Sequence, residues 1–229
     1  MRTAARRRSV SVLVETRRGA VSWPAFALAG CLLLTLPLQA GQIRPVNLEE
    51  MTVRADRIFA GRCLETEIVA HAKLGAVTRV TFEVERAVKG DLGSTLTIEV
   101  VGSGSGQPAP GLMTLDVPRF APGERVVLFL YPDSSLGLTS PVALGQGKFS
   151  VLHDKEGQEL AVNALGNRDL LRGLSTAARE SVGASLAPWD EKRGVPPQTL
   201  LDGAEGLVEL DARMPPAEKG RQGPTGGRR

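Results

Sequence analysis

Two alternating runs, residues 78–86 and 95–101, leave this chain little choice of fold. In the first, Val80, Phe82 and Val84 point one way while Arg79, Thr81, Glu83 and Glu85 point the other. In the second, Leu96, Ile98 and Val100 alternate with Thr95, Thr97 and Glu99. A period of two places every apolar side chain on one face of a strand and every polar one on the wet face. Lys89-Gly90-Asp91-Leu92-Gly93 supplies the turn between them, and the two runs predict an antiparallel hairpin. Residues 125–131 (Arg-Val-Val-Leu-Phe-Leu-Tyr) differ, because they are apolar on both faces. Such a strand sits at the centre of a sheet covered on each side, or in the wall of a barrel.

Turn residues between further apolar runs complete a mainly β protein. Strands are predicted at 58–66, 148–152 and 159–162, with turns at Gly145-Gln146-Gly147 and Asp154-Lys155-Glu156-Gly157. The expected architecture is a small antiparallel barrel of five or six strands, OB-like, with short flanking helices. One helix is expected at 47–55. Asn47 suits the N-cap, Glu49 and Glu50 the positive end of the dipole, and Leu48, Met51 and Ala55 one apolar face. A second is expected over 167–186 from Leu170, Leu171, Leu174 and Ala178. Beyond Pro188, proline, glycine and charge dominate, so 188–229 reads as a mostly disordered tail. Within it, 199–210 is apolar enough for a short helix or a docking segment.

The N-terminus indicates where the chain goes. An arginine-rich segment precedes an apolar run at 20–38, and Gln39-Ala40-Gly41 offers a small residue before the cut. Residues 1–40 are therefore expected to be a signal peptide, and 41–187 the β domain of an exported, periplasmic or secreted protein. Pro24 and Pro37 shorten the run below what a retained inner-membrane anchor favours. Leu28-Ala29-Gly30-Cys31 matches a lipobox, but a lipoprotein cut there would open on Cys31 followed by Leu32-Leu33-Leu34 rather than small polar residues. Residues 1–40 hold six arginines and one glutamate, so 22 basic and 24 acidic side chains remain, a net charge of −2. The basic character belongs to the signal, and no nucleic-acid footprint survives its removal. Stable membrane insertion of the cleaved chain is not expected.

Chemistry-bearing motifs are sparse. Cys63 is the one cysteine after residue 40, which rules out an intrachain disulfide there and reads as a small buried hydrophobe. His71 and His153 have no Cys or His at ligand spacing, so no metal or cofactor is predicted. Gly147-Lys148 is not a P-loop, since Phe149 stands where Ser or Thr would bind magnesium. Ser103 and Ser105 lack nucleophile-elbow spacing, Glu83 and Glu85 fall on the wet face, and Glu124-Arg125 suggests a structural pair at a turn. No catalytic residue is assigned. A flexible loop at 102–111 leads into Met113, Leu115, Arg119 and Phe120, which form the candidate binding surface.

The segments Phe120-Ala-Pro-Gly-Glu-Arg-Val-Val-Leu-Phe-Leu130, Val80-Thr-Phe-Glu-Val-Glu-Arg-Ala-Val-Lys-Gly90 and Gly145-Gln-Gly-Lys-Phe149 resemble a group of bacterial exported proteins without assigned function. More remotely, a strand ending in Lys-Gly, a second strand, a loop, and Gly-Glu before an apolar strand is similar to netrin-like and tissue-inhibitor-of-metalloproteinase domains. That resemblance spans about residues 55–152 and implies an OB-type barrel. Those inhibitors open on a zinc-chelating cysteine and are cross-linked by disulfides. Here Gly41 would open the cleaved chain, so the inhibitory residues do not carry over. The reading is a non-enzymatic exported binding or interaction module, its partner another envelope or extracellular protein. The alternatives are a secreted enzyme using dispersed carboxylates and a loop-based metalloprotease inhibitor. Intact mass spectrometry of exported material should give a chain starting at Gly41; one starting at a lipid-bearing Cys31 would overturn the assignment.

Overall fold

The computed structural model describes residues 44–102, 118–186 and 194–214. Six antiparallel strands form one sheet: β1 (Arg57–His71), β2 (Gly75–Lys89), β3 (Thr95–Val100), β4 (Arg125–Leu130), β5 (Lys148–His153) and β6 (Glu159–Asn163). Their spatial order is β3-β2-β1-β4-β5-β6. The sheet is mainly as the alternation predicts, but it is open: no strand pairing joins β3 to β6 among the described residues. The β2–β3 hairpin has the expected register, with Phe82 opposite Leu96 and Val80 opposite Ile98.

Short irregular segments cover both edges instead of a closing strand. Thr139 donates to the carbonyl of Glu99 on β3 (2.9 Å), and Ala161 and Val195 exchange hydrogen bonds along β6 (2.7 and 3.2 Å). Each contact consumes ladder groups that an exposed edge would offer to another chain.

The doubly apolar run falls at the sheet's centre as β4. Val127 and Phe129 join Ile58, Ala60 and Phe149 in one core, while Val126, Leu128 and Leu130 join Phe59, Cys63, Val80 and Phe82 in a second core on the opposite face. The second core is aromatic: Phe59 meets Phe82 edge-on at 5.6 Å between centroids, and Phe82 meets Phe120 at 5.3 Å. Close approach of strands here demands a glycine. A Cβ on Gly61 would lie 2.4 Å from the Glu83 carbonyl oxygen, a distance no side chain tolerates.

Three helices cover the first core: α1 (Leu48–Arg54), α2 (Thr176–Leu186) and α3 (Pro197–Arg213). In α1 the Asn47 side chain accepts from the Glu50 amide at 2.8 Å, and Leu48, Met51 and Ala55 are buried, as the capping pattern predicts. The second expected helix is shorter than its periodicity suggests. Residues 164–173 are turns, because Asn163 and Asn167 exchange side-chain-to-backbone hydrogen bonds (2.8 and 2.9 Å) and Asn167 and Asp169 take left-handed backbone angles. These side chains outcompete helical hydrogen bonding. Leu170, Leu174 and Ala178 are still buried, from a turn and from α2.

The largest departure is at the C-terminus. Composition places a mostly disordered tail after residue 187, yet Pro197–Arg213 is a 17-residue helix burying Leu200, Leu201, Ala204 and Leu207. Pro197 is accommodated because the first turn of a helix needs no intrahelical amide donor. Arg86 of β2 holds the helix from outside through Asp202 (2.7 Å) and Glu205 (2.6 Å). Among the described residues no helix is long and apolar enough to cross a membrane.

Phe82→Ala should cost about 3–5 kcal/mol and Leu200→Ala about 2–5 kcal/mol. Thr81→Ala, on the wet face, should cost well under about 1 kcal/mol. Chemical denaturation measures all three. Equal tolerance of Phe82→Ala and Thr81→Ala would contradict the strand phase, and a mild Leu200→Ala would contradict the role of α3.

Candidate functional site

Immediately after β4 the chain builds a wall whose Tyr131, Val142 and Ala143 pack on the first core. Tyr131 donates its amide to the Ser140 carbonyl (3.0 Å), the Thr139 hydroxyl donates to the Tyr131 carbonyl (2.6 Å), and a tight turn at 134–137 is closed by Gly137 on Ser134 (2.9 Å). Pro132 and Pro141 bracket this excursion, and prolines suit it because they need no donor partner. Its tip reaches across to the β1–β2 turn, where His71 Nε2 lies 3.3 Å from the Leu136 carbonyl oxygen. Its flank bridges to β3 at Glu99 and Leu138.

Between this wall, the end of β3 and the β1–β2 turn lies a groove of about 560 Å³. That volume falls in the range of small-ligand sites. The lining is overwhelmingly apolar, with Leu74, Val100, Val101, Leu136, Leu138 and Leu144 prominent. Two of its hydroxyls serve the wall: Thr139 donates to Tyr131, and Ser134 Oγ accepts from the Leu138 amide (3.2 Å). Leu74 and Val101 remain 46% exposed.

The groove's far side carries backbone strain. Ala143 and Leu144 adopt successive left-handed conformations (φ 49° and 58°), each costing a non-glycine residue roughly 1–2 kcal/mol. The conformation is held by Val142 donating to Phe129 (2.8 Å) and Leu144 to Pro141 (2.9 Å). Gly147 permits it: a Cβ there would sit 2.6 Å from the Val142 backbone. The Gly-Gln-Gly motif is thus a packing device. Gln146 within it is buried, accepting from Val46 (2.7 Å) and donating to the Arg44 carbonyl (3.1 Å).

The predicted binding residues are only partly brought to this place. Met113 and Leu115 lie outside the described residues, as do residues 103–111 of the expected loop. Pro118 lines the groove, Arg119 is exposed, and Phe120 turns inward against Phe82. Phe120 is held there by a polar strut. Lys148 Nζ lies 4.9 Å from its ring centroid, 2.7 Å from Glu124 Oε1, and donates to the Arg119 carbonyl. Ser150 donates to the same Glu124 oxygen at 2.8 Å, and Glu124 Oε2 accepts the Ala121 amide at 3.2 Å. Glu124 therefore pairs with Lys148, while Arg125 pairs with Glu85 (2.7 Å) and with Glu159. The expected Glu124–Arg125 pair does not form, because consecutive residues of a strand face opposite ways.

Cys63 is buried beside this strut. Burial, chiefly, and the Glu124 carboxylate push its thiol up from the ordinary value, and Lys148 pulls it back. A protonated, enclosed thiol is a poor nucleophile. Neither histidine gathers ligands: His71 contacts Leu136, and His153 Nε2 lies 3.6 Å from Glu159. Among the described residues no group of three or more His, Cys, Asp or Glu is placed to hold a metal.

Sequence reasoning missed the 131–144 wall. Pro132, Pro141 and the apolar Leu136 and Leu138 between them were its visible signal. No family model, curated protein or solved structure matches the chain.

In a Cys31→Ser background, Glu124→Gln should lower the Cys63 pKa and Lys148→Met should raise it. Thiolate absorbance as a function of pH measures both; shifts of the same sign would contradict the placement of the strut.

Proposed function

We propose that the domain is a non-enzymatic, exported binding module whose ligand site is the groove between the 131–144 wall, the end of β3 and the β1–β2 turn. The observation that carries this reading is the groove itself: about 560 Å³, nearly all apolar, with Leu74 and Val101 half-open to solvent. Thr139 already donates to the wall and Ser134 already accepts from it, so a largely apolar lining offers a polar ligand few replacement hydrogen bonds for the hydration it would lose. An apolar group would lose nothing and release water from both surfaces.

The partly wrapped half of the sheet supports an OB-type reading. β3, β2, β1 and β4 enclose the aromatic second core, and the wall's bridge to Glu99 spans from the end of β4 to the edge of β3. In such folds ligands lie on the barrel face and its loops. The resemblance to exported proteins and the signal-like N-terminus favour an envelope or extracellular setting.

Nile red, an apolar dye without charge, tests the site. The full chain should enhance its fluorescence, and Leu74→Asp with Val101→Asp should remove about tenfold or more of the affinity, since a buried charge opposes an apolar ligand. Both residues are already exposed, so the double variant should melt within a few degrees of the parent. Undiminished dye binding in a folded double variant would overturn the assignment.

A further inference from the structure

The groove's rim carries a charge pattern that narrows the ligand class. Most charged side chains around it are engaged. Asp133, within the wall, pairs with Arg57, and Glu99, beside the bridge, pairs with Arg79 at 2.9 Å. Lys73 is the exception. It lies between His71 and Leu74 in the β1–β2 turn, is exposed, and forms no ion pair among the described residues. Its backbone is fixed at the rim: the Lys73 amide donates to His71 Nδ1 (3.3 Å), and the other nitrogen of that ring meets Leu136 (3.3 Å). Lys73, without an ion pair among the described residues, thus immediately precedes Leu74, one of the half-open aliphatic side chains of the groove.

Apolar interior and cationic rim are complementary to one kind of molecule. Resting on the binding-module reading above, we propose that the groove takes the alkyl chain of an anionic amphiphile of the fatty-acid type, with the chain against Val100, Leu138 and Leu144 and the carboxylate at the solvent-facing rim near Lys73. The chain asks for no hydrogen bond from a lining that is largely apolar. The carboxylate stays in water, so its attraction to Lys73 is a modest, salt-sensitive increment on an affinity set by apolar contact. A cationic amphiphile would meet like charge there.

Dodecanoic acid and dodecanol, competing with Nile red for the full chain, separate the two contributions. The apolar run at 20–38 is common to all variants, so only differences between them count. The acid should bind more tightly than the alcohol at low salt. Lys73→Glu should weaken the acid about two- to fivefold, leave the alcohol unchanged, and lose its effect in molar salt. Leu74→Asp with Val101→Asp should weaken both. Equal affinity for acid and alcohol, or indifference of the acid to Lys73→Glu, would overturn the proposal while leaving the groove as a site for uncharged groups. Competition by neither, with dye binding still lost in the double variant, would overturn the alkyl-chain class and keep the groove. Competition appearing only after residues 103–117 are replaced by a short Gly-Ser linker would assign the groove to this chain's own segment and overturn the proposal too.

Discussion

A strand that is apolar on both faces needs two coverings, and in this domain that strand is β4. Val127 and Phe129 look toward the helices while Val126, Leu128 and Leu130 look toward the aromatic core. Leaving either row wet would forfeit roughly 1.5–3 kcal/mol for each large side chain, a sizeable share of a small domain's net stability. The rest of the architecture answers this demand. Three helices cover one face, and the other is enclosed by the long β1–β2 hairpin, β3 and the segment ending in Phe120.

The two coverings differ in how they are fastened. On the helical face the contacts are aliphatic and numerous, with Leu48, Met51, Leu200 and Leu207 interleaved over Ile58 and Phe129. On the other face a single aromatic, Phe120, closes the core, and a short polar strut from Glu124, Lys148 and Ser150 holds it in place. The strut's groups satisfy one another and the local backbone, which a partly buried ion pair requires if it is not to destabilise the fold.

The excursion after β4 stiffens itself with backbone and hydroxyl hydrogen bonds, reaches β3 on one side and the β1–β2 turn on the other, and leaves an apolar groove between. Successive left-handed residues at Ala143 and Leu144 are a cost that the surrounding hydrogen bonds offset. Strain of this kind persists only where the neighbouring structure over-determines the backbone.

The strands were legible because a period of two reports directly which face is wet, and Val80, Phe82, Ile98 and the doubly apolar 125–130 run carry that signal without ambiguity. The α1 cap was legible for the same local reason, since Asn47 needs only the Glu50 amide three residues away. Three features were decided by tertiary structure. The 167–173 stretch lies in a run of helical spacing but turns, because Asn163 and Asn167 bond each other and the Gln146 and Ala161 carbonyls, partners the local pattern does not reveal. Pro197–Arg213 lies amid disorder-like composition, yet helix formation there is stabilised by sheet residues distant in sequence, from Ile58 to Ala161. The groove is a contact between residues near 74, 100 and 138, none of which neighbours another along the chain. Local sequence determined which segments become strands and which face they bury; long-range packing decided whether the sheet closes, what covers it, and where the apolar groove opens.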